Sequence, residues 1–242
     1  MPRVTTPVAI LCGGKGARMT GHDPTVPKPL VEIGGRPVLW HVMSIYAAHG
    51  LSRFILLCGN GAGQVEKFAA TATPAEWDVT CVDTGADTPT GGRVARARDL
   101  LENGTFCLTY ADGVADIDLD ALLAFHKDEG AAATMTVVQP QNPWGVANLD
   151  QNRVSGFAEK PPLDCWVNGG FFVMEPRALD AIGPDDALER RPLETLANQS
   201  ELAAYRHAGF WDCMDTYKDT LLLNELWDQG RAPWRTLVEA TP

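Results

Sequence analysis

A doubly wound α/β fold is what this sequence predicts, on three observations. Short apolar runs alternate with stretches of helical period, and the first run opens straight onto a glycine turn. With 242 residues, 45% of them hydrophobic, the chain can also bury a sizeable core within the size of one α/β domain.

The elements follow in chain order. Val8–Leu11 is a continuous apolar run of the kind that fits a buried parallel strand. Gly13, Gly14 and Gly16 then remove side chains, so that main-chain N–H groups can approach phosphate oxygens, with Lys15 among them. Arg18 adds a planar fork for phosphate and Lys28, in Pro27-Lys28-Pro29, a compact charge. In Val38–His49, Leu39, Val42, Met43 and Tyr46 recur at helical spacing as a core face, and Trp40 and His41 are read as packing residues. Strands are expected at Phe54–Cys58, Val79–Val82, Phe106–Tyr110 and Ala133–Val138, with helices near Gly63–Ala70, Gly92–Leu101 and Leu119–Glu129. Beyond Gln139 the pattern loosens, leaving Val154–Glu159, Val167–Met174 and Leu202–His207 as strands and a last helix from about Thr216. Without repeat or linker, residues 1–242 read as one domain, with a half at about 1–138 and another at about 139–242.

Carboxylates that hold a cation at a phosphate should lie at strand ends facing the glycine turn. Asp112 follows Phe106–Tyr110, where a parallel strand would end. Asp215 precedes the last helix, where capping is the competing role. Asp116-Ile-Asp-Leu-Asp120 looks like an acidic helix start. The glycine turn itself excludes two familiar phosphate loops. Lys15 is followed by Gly16 rather than Ser or Thr, and Arg18-Met19 breaks the dinucleotide fingerprint.

What Gly13-Gly-Lys-Gly-Ala-Arg18 with Lys28-Pro29 resembles is the G-G-x-G-T-R-L loop and downstream K-P of the sugar-phosphate nucleotidyltransferases, with departures at Ala17 and Met19. Val31-Glu-Ile-Gly-Gly-Arg-Pro-Val-Leu-Trp-His41, Asp83-Thr-Gly, Thr90-Gly-Gly-Arg93, Tyr110-Ala-Asp-Gly-Val-Ala-Asp116, Asn168-Gly-Gly-Phe-Phe172 and Gly209-Phe-Trp211 recur in order, and together resemble the glucose-1-phosphate cytidylyltransferase branch of that superfamily. The match runs from about Val8 to near Trp234. The segment before Asp83 is shorter than in the family, and Arg190 and Arg191 stand where the family tends to be acidic.

The resemblance implies a Rossmann-like doubly wound, mixed, mainly parallel sheet of the nucleotidyltransferase type. It implies cytidylyl transfer from CTP to a sugar 1-phosphate, with the sugar-phosphate oxygen attacking the α-phosphorus in line and pyrophosphate leaving. Leu11, Gly13, Gly14, Lys15, Gly16, Gly91, Gly92, Arg93 and Ala111 would meet the nucleotide; Gly145, Glu159, Lys160, Asn168, Gly169 and Trp211 would meet the sugar phosphate. Arg18, Lys28 and Asp112 would be catalytic, and Asp112 and Asp215 would hold Mg2+. Arg93 could equally be solvated beyond a glycine turn, and Trp211 a core residue rather than a sugar platform. A different sugar phosphate, cyclitol phosphate or base, a glycosyltransferase, and a noncatalytic sugar-nucleotide sensor are the competing functions. The family assembles, so a homo-oligomer is expected, made smaller by the missing segment.

Composition agrees with these expectations. A formal charge of −11 argues against nonspecific binding to nucleic acid or an anionic membrane, because either requires a basic face. Neither a cleavable apolar leader nor an apolar run of membrane-spanning length is present, so a cytoplasmic location is expected. Cys12, Cys58, Cys81, Cys107, Cys165 and Cys213 show no C-x-x-C pair, and read as reduced core thiols.

Overall fold

The structure is a computed structural model that describes residues 6–16, 23 and 25–239. Strand β1 is Val8–Leu11, and the tiny strands β2 (Glu32–Ile33) and β3 (Arg36–Pro37) form a hairpin ahead of helix α1 (Val38–Ala47). The hairpin turn uses Gly34 and Gly35 at φ +59° and +76°, the left-handed pair that a two-residue type I′ connection requires. Next come β4 (Arg53–Cys58), α2 (Ala62–Ala72), β5 (Asp78–Asp83), α3 (Thr90–Arg96), α4 (Arg98–Leu101), β6 (Phe106–Tyr110), β7 (Gly113–Ala115) and α5 (Leu119–Glu129). The second half holds β8 (Ala133–Val138), β9 (Val146–Asp150), β10 (Arg153–Ala158), β11 (Val167–Met174), α6 (Arg191–Asn198), β12 (Leu202–Arg206), β13 (Trp211–Cys213), α7 (Tyr217–Asp228) and α8 (Arg235–Glu239).

Seven strands make the central sheet, in the order β12-β8-β11-β6-β1-β4-β5. Strand β11 runs antiparallel to both β6 and β8, and every other ladder of the sheet is parallel. The expected mixed, mainly parallel α/β sheet is therefore present. Period-two alternation explains why its strands read as continuous apolar runs: Val8, Ile10, Phe54, Leu56 and Phe171 face one core layer with α1, α2 and α7, while Ala9, Leu11, Ile55, Leu57 and Phe172 face another with α3 and α6.

Two expectations need correction, and one strand finds an unexpected partner. The helix expected over Gly92–Leu101 is two helices, broken at Ala97 (φ −101°, ψ 12°), beyond which Arg98 reaches Asp180 at 2.6 Å. The strand expected over Val154–Glu159 does not join the central sheet. It pairs with β9, unanticipated from the pattern, as an arm whose Leu149, Val154 and Phe157 are exposed. Cys12, Cys58 and Cys107 are buried, but Cys165 is exposed, so the core-thiol reading fails there; all six cysteines are free.

Other assignments hold. Trp40 and His41 are packing residues, His41 being fully buried with its Nε2 at 2.8 Å from the Ile33 carbonyl. The acidic run before α5 is a helix start, in which the Asp118 carboxylate accepts from the Ala121 N–H at 2.9 Å. No helix among the described residues is long and apolar enough to cross a membrane.

Candidate active site

The parallel strands β1, β4, β5 and β6 all end on one side of the sheet, and the cleft opens there, as strand geometry in open α/β sheets requires. It encloses about 450 Å³, walled by the Leu11–Gly16 loop, Lys28, Thr88–Thr90, Arg93, Tyr110–Asp112, Glu189 and Asp215. A second cavity of about 530 Å³ adjoins it over Asn168–Phe171 and Trp211. Tyr110, Asp112, Glu189 and Asp215 border both cavities, so that two ligands would meet across them.

At this junction, Lys28 Nζ lies 2.5 Å from Asp112 Oδ2 and 2.6 Å from Asp215 Oδ1. Burial works to lower the Lys28 pKa, but Asp112 and then Asp215 outweigh it, so the ammonium is held above its ordinary value and stays charged. Two residues distant in sequence meet because of a three-residue ladder. β13 pairs antiparallel with β7, setting Cys213 against Gly113, and the Met214 N–H donates to the Asp112 carbonyl at 2.9 Å. The competing role for Asp215 as a helix cap is excluded. Thr216 is the N-cap of α7, in a capping box with Asp219.

Arg93 borders the cleft, as expected of a residue beside the nucleotide, and at 3% exposure it is not the solvated side chain of the competing reading. Its guanidinium donates to Cys58 O (3.0 Å), Thr84 Oγ1 (2.7 Å), Gly85 O (2.8 Å), Gly13 O (2.8 Å) and Ala86 O (3.3 Å), tying three loops behind the cleft wall. Gly13 is glycine for this reason as much as for phosphate, since a Cβ there would lie 2.1 Å from Arg93 Nη1. Gly91 and Gly92 line neither cavity. They pack on the 184–188 segment, where a Cβ would meet the carbonyls of Asp186 and Pro184.

Leu11, Gly13, Gly14, Lys15, Gly16 and Ala111 do line the nucleotide-sized cleft, Lys15 at the rim paired with Asp87 at 2.6 Å. Asn168 and Gly169 floor the second cavity, and Trp211 borders it with its indole N–H donating to the Gly169 carbonyl at 2.6 Å. Gly145 and Glu159 lie together at the base of the β9–β10 arm, with Lys160 beside them, outside both cavities. Arg18 falls outside the described residues. The sequence reading missed Glu189, whose only local sign is a run of three charges, Glu189-Arg-Arg191, ahead of the apolar Pro192-Leu193.

The sequence profile of the family described as nucleotidyl transferase matches residues 8–229, from β1 into the end of α7. The chain belongs to the nucleotidyl transferase family. Relatives of this nucleotidyltransferase include a probable glucose-1-phosphate cytidylyltransferase of Bacillus subtilis (strain 168), 39% identical over 248 residues, or 93% of this chain and 98% of that one. A glucose-1-phosphate cytidylyltransferase of Salmonella typhi is 41% identical over 251 residues, covering 94% and 98%. Among solved structures, HddC from Yersinia pseudotuberculosis shares the fold with a TM-score of 0.73 at 21% identity, over 92% of this chain and 100% of that one. The two adjoining cavities share Asp112 and Asp215 as lining, with Lys28 between these two carboxylates.

Proposed function

We propose that this nucleotidyltransferase moves a cytidylyl group from CTP to glucose 1-phosphate, yielding CDP-glucose and pyrophosphate. The observation that carries the reading is the junction itself: the Lys28 ammonium, held between Asp112 and Asp215, stands where a glycine-loop cleft and a glycine-floored cavity meet. The resemblance to cytidylyltransferases over nearly the whole chain supplies the base and the sugar.

In this reading the triphosphate lies along the Gly13–Gly16 backbone and the hexose over Asn168, Gly169 and Trp211. A sugar-phosphate oxygen forms the new P–O bond to the α-phosphorus as the bond to pyrophosphate breaks. No protein nucleophile or base is needed, because the attacking phosphate is already ionised. Lys28 meets the phosphates as a charged ammonium, where charge builds in the transition state. Arg18 would take the departing pyrophosphate. Glu159 and Lys160 would reach the sugar phosphate when the β9–β10 arm approaches the cavity.

Mg2+ fits Asp112 and Asp215. Their oxygens converge on one cationic atom, which Lys28 Nζ supplies here, and a pair of carboxylates suits a small hard ion that keeps water and phosphate among its ligands. Such an ion, when bound, screens phosphate charge and polarises the α-phosphate. A cytoplasmic location belongs to the same proposal, and so does a homo-oligomer, for which the apolar Leu149, Val154 and Phe157 left exposed on the arm are the support.

The test is pyrophosphate release with Mg2+ across CTP, UTP, dTTP, ATP and GTP against a panel of sugar and cyclitol 1-phosphates. Release confined to CTP with glucose 1-phosphate is expected. Release only with another base or acceptor would overturn the assignment of substrates, and silence across the panel would overturn the reaction. Light scattering that returns a monomer would overturn the assembly.

A further inference from the structure

Between the two cavities runs a chain of hydrogen bonds that the reaction above does not use. Thr90 Oγ1 donates to Glu189 Oε2 at 2.7 Å, Tyr110 OH donates to Glu189 Oε1 at 2.7 Å, and Asn168 Nδ2 donates to Tyr110 OH at 3.4 Å. Thr90 belongs to the wall of the first cavity, Asn168 to the floor of the second, and Glu189 borders both. The Tyr110 ring is fixed from behind. It lies against Gly170, which sits at φ +82° and where a Cβ would come within 2.7 Å of the ring, and it packs edge-on to Phe172.

Glu189 differs from the other two acids of the junction. Asp112 and Asp215 are committed to Lys28, whereas among the described residues no Lys, Arg or His lies within ion-pair distance of Glu189. Its partners are two neutral hydroxyls. A carboxylate offers about four lone-pair sites, so about two are left over beside the two taken here. The residue is exposed and lines both cavities, so its carboxylate is within reach of a ligand at the junction. A phosphate oxygen would be repelled there. A hydroxyl would be accepted with the strength of a charge-assisted bond.

We propose that Glu189 is a specificity-determining residue that accepts a hydrogen bond from a ligand hydroxyl at the junction of the two cavities, with Tyr110 and Thr90 holding the carboxylate in place. The inference rests on the two-substrate reading above. The chemistry recognised is a sugar hydroxyl, and both the ribose of the nucleotide and the hexose of the acceptor carry one.

Equilibrium titrations separate those sources and need no turnover. Wild type and Glu189→Ala are titrated with CTP and its 2′-deoxy and 3′-deoxy forms, and with glucose 1-phosphate and its monodeoxy forms. Glu189→Ala is expected to weaken one parent ligand by about 10–100-fold, while one deoxy analogue of that ligand binds both proteins alike. A ribose analogue behaving so assigns the nucleotide, and a hexose analogue assigns the acceptor. Equal losses for the parent and every analogue, or no loss at all, would overturn the contact. Tyr110→Phe keeps the carboxylate and is expected to keep the discrimination between parent and deoxy ligand. If it erases that discrimination as fully as Glu189→Ala, Glu189 acts only through Tyr110 and the direct contact is wrong. Absence of pyrophosphate release would count against the reaction, and the titrations would still decide the role of Glu189.

Discussion

Replacing Arg93 with methionine is expected to destabilise the protein and to loosen the nucleotide cleft together. The guanidinium satisfies four carbonyl oxygens and the Thr84 hydroxyl, donated to from Nη1 and Nη2. Methionine fills much of the volume and supplies no donor. A buried acceptor stripped of its partner costs about 1–3 kcal/mol. Arg93 also forms part of the cleft wall, where water can replace some of the lost donors. The Gly13 and Cys58 carbonyls keep the backbone donors of Asn60 and Thr84, so about two acceptors are stripped and a net loss of about 3–5 kcal/mol results. For a chain of 242 residues this corresponds to a fall in Tm of roughly 10 °C. Arg93→Lys retains the charge but not the planar fork, and should fall between the two. Urea unfolding followed by tryptophan fluorescence, with calorimetric titration of CTP, measures both effects. A methionine variant that unfolds at the wild-type urea concentration yet binds CTP poorly would refute the reasoning, because it would make Arg93 a nucleotide ligand rather than the support for three loops.

Three further outcomes are expected. Lys28→Met and Asp112→Asn should each lower the rate of pyrophosphate release by about 100-fold or more while circular dichroism stays that of the wild type, since each removes charge at the point of transfer; near-normal turnover in folded Asp112→Asn protein would remove that aspartate from the chemistry. Gly170→Ala should cost about 1–3 kcal/mol, because φ is +82° and the new Cβ meets the Tyr110 ring, and a wild-type urea midpoint would contradict the packing. Burial lowers the pKa of His41 to about 4, from an ordinary value of 6.5. The unfolded chain therefore binds a proton that the folded chain refuses, so stability should be lost as pH falls from about 6.5 towards 4. His41→Gln should flatten that window in urea midpoints measured against pH, and an unchanged slope would show that His41 does not carry it.

Much of the sheet was legible because its strands are contiguous and their chemistry is local. Val8–Leu11, Phe106–Tyr110, Ala133–Val138 and Val167–Met174 have the bounds expected of them, since an apolar run flanked by turn residues is complete within itself. Strand β10 was harder. Val154 and Phe157 mark it as a strand, but apolar residues do not say which partner a strand has, and this one pairs with β9 on the surface. The Thr90-Gly-Gly-Arg93 motif was visible as a motif, but the groups its guanidinium holds were not. A guanidinium beside a cleft looks the same in sequence whether it faces phosphate or four backbone carbonyls.

By itself the sequence determined the α/β class, the glycine turn after β1, the strand-end position of Asp112 and the acidic balance of the chain, all of which depend on neighbouring residues or on totals. Only the tertiary structure decided that Asp112 and Asp215 share Lys28, that Arg93 is a buttress, that Glu189 enters the junction and that Glu159 and Lys160 stand outside it. These meetings join residues far apart in the chain, and they hang on strand order and on the short β7–β13 ladder. Periodicity is a property of one segment, whereas a site is a property of how segments are stacked.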